Sequence, residues 1–146
     1  MKNKKYYHSS RKRIIVDKTH IEDYLADVRH KIQNDLFILA INEKRVENFK
    51  LLANHIIDEN IVKETISNLT PEDFSSILRN KHKGYEYELL YVFGKTVTLE
   101  EKKSRKPIAV PLYIKINNVR DRSVIIISFH EQKYPLTYYF KRHNNE

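Results

Sequence analysis

Residues 110–117, Val-Pro-Leu-Tyr-Ile-Lys-Ile-Asn, and residues 123–131, Ser-Val-Ile-Ile-Ile-Ser-Phe-His-Glu, decide the fold. Successive side chains of an extended chain point to opposite faces. Leu112, Ile114 and Ile116 therefore share one face, and Tyr113, Lys115 and Asn117 share the other. The second segment is a β-branched run that ends on polar residues. Between them, Asn117, Asn118 and Asp121 are turn formers. The two segments predict adjacent strands with one apolar and one polar face.

Working outward, residues 87–93 predict another core strand. Residues 94–106 read as a polar loop carrying Lys95, Lys102, Lys103, Arg105 and Lys106. Pro135 ends the extension of the third strand, and residues 136–141 read as a fourth. Upstream, Thr19-His20-Ile21-Glu22 matches a capping box, so a helix is expected from there to about residue 34. Its stripe is Ile21, Tyr24, Leu25, Val28 and Ile32. The apolar run 35–41 suits either a strand or a buried helix. Helices are expected over residues 43–57 and 61–68. Thr70 as N-cap, with Pro71, Glu72 and Asp73 behind it, predicts a further helix to residue 80 with Phe74, Ile77 and Leu78 inward. Gly84 follows as a left-handed residue.

Helices first and strands afterwards define an α+β domain. Its N-terminal helices pack on one face of a three- to four-stranded, mainly antiparallel sheet. Residues 19–146 form that domain. Residues 1–18 read as a basic flexible arm with Tyr6, Tyr7 and His8 interleaved, suited to phosphates and bases and equally to a solvated terminus.

The 146 residues carry a net charge of +8, a balance that favours polyanionic partners, nucleic acid foremost. No cysteine is present, which excludes a thiolate nucleophile, a disulfide framework and a cysteine zinc site, and suits a reducing cytoplasm. No apolar run approaches the ~20 residues of a membrane span. Residues 1–13 lack the apolar segment of a secretory signal. Two glycines leave no room for a Gly-rich phosphate loop. The histidines are scattered without metal-ligand spacing, so neither metal nor cofactor is implied.

Three passages carry a resemblance. They are IVKETISNLTPEDFSSIL (61–78), YELLYVF (87–93), and VPLYIKI (110–116) followed by VIIISFHE (124–131). Their order and separations resemble the motility quorum-sensing regulator (MqsR) toxins over roughly residues 45–131. The resemblance implies a RelE-like fold, a ribosome-independent and metal-free endoribonuclease acting on mRNA, and a cognate antitoxin that silences it. The family site uses a lysine, a glutamine, a tyrosine and a second lysine. The tyrosine is retained as Tyr113. The glutamine position falls on Glu88, the first lysine on Ser76 and the last on His130.

Cleavage by 2′-hydroxyl attack needs a base, an acid, and positive charge for the phosphorane oxygens. Glu88 and His130 form a base/acid pair of the type ribonucleases use, since histidine titrates near neutrality. Lys115, with Lys83 or Arg79, suits the phosphate. His82 and Lys95 lie in the flanking basic loops as further RNA contacts, with Ser76 at the substituted lysine position. Tyr138, Tyr139, Lys141 and Arg142 either stack on bases or complete the sheet. The alternative reading is a nucleic-acid-binding protein without catalysis on the same scaffold.

Overall fold

The computed structural model describes residues 16–40 and 46–144. The basic arm falls outside these up to residue 15, but Val16 is already buried in the core. The first helix, α1, spans Lys18–Gln33. Its cap is Asp17, whose carboxylate accepts the His20 N–H at 2.9 Å, and not the expected Thr19. An extended Asp just ahead of the first turn satisfies the same orphan donors, so the helix starts earlier. Ile21, Leu25, Val28 and Ile32 are buried as the stripe requires.

The ambiguous run 35–41 contains strand β1, Phe37–Leu39. Helix α2 covers Val46–Asn54, and His55–Ile56 leaves it as strand β2. The helix expected to residue 57 thus ends three residues early, because the chain turns to pair with Glu100 and Glu101. Helix α3 spans Glu59–Ser67 with Asp58 as N-cap, and buries Val62, Thr65 and Ile66.

The helix expected over 71–80 does not form. The capping box does: Asp73 accepts the Thr70 N–H at 2.9 Å, and Pro71–Asp73 make one 3-10 turn. The chain then enters strand β3, Phe74–Arg79, antiparallel to the start of strand β4, Leu89–Glu101. Burying Phe74 against Phe93, with ring centroids 5.7 Å apart, outweighs the local helix signal. A bulge between Phe74 and Ser76 frees the Ser75 hydroxyl to donate to the Thr137 carbonyl.

The expected loop over 94–106 is mostly strand. β4 continues through Thr96, Val97, Thr98 and Leu99, an alternating run with two β-branched threonines and a valine, and only residues 102–106 turn. Strand β5, Pro107–Asn117, pairs with β4 along its whole length, and strand β6, Val124–Glu131, pairs with β5. β1 adds to β6 in parallel.

The sheet thus has six strands, in the order β1-β6-β5-β4-β2, with β3 on the remaining stretch of β4. It is larger than the three to four expected, and mixed. The strand expected over 136–141 is replaced by a crossing segment and a short helix, α4, Tyr139–Asn144. Phe140 is buried against Phe74, which ties α4 to the core.

The molecule is an α+β protein. Ile21, Leu25, Val28, Val62 and Ile66 belong to the same core as Phe93, Leu112, Ile114, Ile116, Ile126 and Phe129. No helix among the described residues is long and apolar enough to cross a membrane.

Candidate functional site on the open sheet face

The strand registers assign the second face row by row. Gly94 stands opposite Tyr113, and Tyr113 opposite His130. The next row is Ser76, Val92, Lys115 and Ser128. The row after that is Leu78, Leu90, Asn117 and Ile125, with Glu88 just beyond Leu90. Residues paired across strands point the same way, so these side chains share one face.

At one end of the face the Tyr113 and His130 rings lie parallel, 9° apart in plane with centroids at 5.0 Å. The His130 Nδ1 is 2.8 Å from the Glu131 carbonyl. A carbonyl only accepts, so Nδ1 donates, and the neutral ring presents its lone pair at Nε2. Burial pushes the Tyr113 hydroxyl above its ordinary pKa, so it stays protonated through neutral pH. Lys115 follows two residues along β5, about 7 Å away at strand rise.

At the other end Glu88 floors a cleft of about 430 Å³. Its residue exposure is 6%. Its Oε1 accepts from Asn80 Nδ2 at 3.0 Å and from Asn117 Nδ2 at 2.9 Å. The Arg122 guanidinium is 3.7 Å from Oε2, beyond hydrogen-bond length. His82, Lys83 and Tyr85 line the mouth. Gly84, with φ +90°, turns the chain there in the conformation glycine tolerates best.

The expected residues therefore fall into two groups. Glu88, His82 and Lys83 line the cleft; Tyr113 and His130 stack on the sheet, with Lys115 one row along the same face. The Glu88 carboxylate bonds Asn117, which is four positions along β5 from Tyr113, or about 13 Å at strand rise, so Glu88 is not a hydrogen-bonding partner of His130. Ser76 reaches the open face from β3, not from a helix. Arg79, opposite Leu89, alternates onto the helix-covered face with Ile77 and Tyr91. Lys95 alternates to that face too, and its ammonium is 3.4 Å from Asp73, tying β4 to the 3-10 turn. Asn80, Tyr85 and Arg122 carry no signal in the sequence that marks them as site residues. The alternation along β5 places Asn117 on the open face, but only the register reveals its contact with Glu88.

The C-terminal segment also borders the site. The Gln132 amide donates to the Leu112 carbonyl at 3.0 Å, and the Leu136 N–H donates to Gln132 Oε1 at 3.3 Å. A Cβ added at Gly94 would meet Leu136 Cδ1 at 2.6 Å, Gln132 Nε2 at 3.0 Å, and the Tyr138 hydroxyl. The segment thus crosses the open face where β4 offers no side chain. Among the described residues no three His, Asp or Glu side chains gather as a metal-ligand set.

These features define an α+β protein with a basic, aromatic open sheet face and a carboxylate cleft at one end. Comparison with family models, curated proteins and solved structures finds no match.

Proposed function

We propose that this chain is a metal-independent endoribonuclease of the toxin kind, acting on mRNA in the cytoplasm and held silent by a cognate antitoxin. The observation that supports it best is the stacked Tyr113–His130 pair with Lys115 next on the same face. His130 Nε2 takes the proton of the 2′-hydroxyl as that oxygen attacks phosphorus. The P–O5′ bond breaks, and the Tyr113 hydroxyl gives its proton to the leaving oxygen. Lys115 neutralises the non-bridging oxygens as charge builds on them. The products are a 2′,3′-cyclic phosphate and a 5′-hydroxyl, and exchange with water resets both side chains. Acid–base catalysis of this kind contributes about 10²–10⁴ in rate.

A second reading, RNA binding without cleavage, is favoured by the separation of Glu88 from His130. One assay decides between them. Purified protein is incubated with RNA in chelator, and the fragment ends are analysed. Cyclic phosphate and 5′-hydroxyl ends support the nuclease; intact RNA under saturating binding supports the second reading.

A further inference from the structure

Glu88 takes no part in the chemistry just described, yet it is the most elaborately held carboxylate on the open face. Two amides donate to Oε1, while among the described residues Oε2 has the distant Arg122 alone. Beside it, Asn117 Oδ1 is buried and has no hydrogen-bond partner among the described residues. Asn117 is itself 7% exposed, and both side chains line the cleft. Two neighbouring acceptors without close donors call for a ligand edge rich in N–H groups. Around them stand a flat ring, Tyr85, at 50% exposure, the apolar Ile125, and the cations Lys83 and Arg122. A free amine or guanidinium would be repelled by those cations at the mouth. A neutral base with a phosphate attached meets them favourably.

We infer that the Glu88 cleft is a nucleobase pocket that reads a donating base edge of single-stranded RNA. Glu88 Oε2 and Asn117 Oδ1 accept from adjacent ring and exocyclic N–H groups. The base lies on Tyr85, and its phosphate faces Lys83 and Arg122. Arg122 side-chain atoms are 58% exposed, so the guanidinium is able to turn towards the phosphate while the N–H groups of the base take its place on the buried Glu88 carboxylate. Among the common bases, guanine presents two adjacent donors of this kind and uracil presents one. The pocket's acceptor Asn117 is four positions along β5 from Tyr113, or about 13 Å at strand rise, so the pocket sets a preference at a nucleotide away from the scissile bond. That last statement rests on the proposed nuclease reading; the pocket itself does not.

The test titrates isotope-labelled full-length protein with guanosine, inosine, adenosine and uridine monophosphates. Guanosine monophosphate should bind at least about tenfold tighter than inosine monophosphate, which lacks one donor, and than uridine monophosphate. Its shifts should centre on the Asn80 and Asn117 side-chain amides, with Tyr113 and His130 unmoved. E88Q, with a donor in place of an acceptor, should lose the preference. Y85A, at an exposed ring that folding does not need, should weaken all four by about tenfold. Equal affinities for the four, or shifts confined to Tyr113 and His130, overturn the pocket. H130A separates the two proposals: abolished cleavage with the preference kept supports both, and unchanged cleavage removes the nuclease centre while the titration still decides the pocket.

Discussion

Replacing Gly94 by alanine tests whether the C-terminal segment is packed onto the sheet. The new methyl would stand 2.6 Å from Leu136 Cδ1 and 3.0 Å from Gln132 Nε2, besides meeting the Tyr138 hydroxyl. Each of these is the far end of a flexible side chain, and one alone would rotate away. Here three converge on one point, and two of them are tethered. Gln132 bonds the Leu112 carbonyl, and the Leu136 N–H bonds Gln132. Lifting the whole segment would also break the Ser75–Thr137 hydrogen bond, and each such bond contributes about 0.5–1.5 kcal/mol. Adjustment in place is therefore the cheaper response, at the overpacking cost of about 1–3 kcal/mol. For a domain of this size that lowers Tm by roughly 3–10 °C. Thermal and urea melts followed by circular dichroism measure it. An unchanged melting curve would refute the reasoning, since a free segment yields to a methyl at no cost.

Further outcomes follow from the same geometry. H130A should lower cleavage by about 10²–10⁴ while RNA affinity in a filter assay changes far less, because a positioned base acts in the transition state. Burial raises the Tyr113 pKa, so the rate should hold on the alkaline side to above about pH 10 before falling, a limb that Y113F abolishes. Tyr24 is raised well above its ordinary value by burial, then by Tyr91 and Asp27. Its folded pKa exceeds its unfolded one, so its contribution is whole below about pH 10 and disappears as pH climbs towards the folded value. Y24F should flatten this alkaline decline in melts at rising pH. Changing Lys102, Lys103 and Lys106 of the exposed hairpin tip to glutamine should lower the salt slope of log affinity by about 0.7 for each phosphate that is no longer neutralised.

Much of this architecture is written in local pattern. The alternation of Leu112, Ile114 and Ile116 announces a core-facing strand, and all three are fully buried. The stripe of α1 is equally plain. Phe74–Arg79 departs from its local pattern, because one good helical turn precedes residues compatible with either period. Pairing with Leu89–Phe93 settles it, and that information lies ten and more residues away. Residues 94–101 look polar because alternate side chains of a long paired strand face water. The site follows the same division. Residue types at Glu88, Tyr113 and His130 are visible in the chain, but their grouping depends on register, which sequence spacing does not carry. The Glu88–Asn117 contact is the clearest case, created by one strand end lying beside another.

The parallel pairing of Phe37 with Val124 has a consequence for the order of assembly. A chain emerging from the ribosome presents α1, α2 and α3 long before β6 exists. β6 brings His130 to Tyr113, supplies the partner for β1, and leads into the segment that crosses Gly94. The open face is therefore completed only after the first three helices and strands β1 to β5 have been made. A chain cut short before Val124 has the cleft carboxylate and no His130, and a nascent chain passes through that same incomplete form.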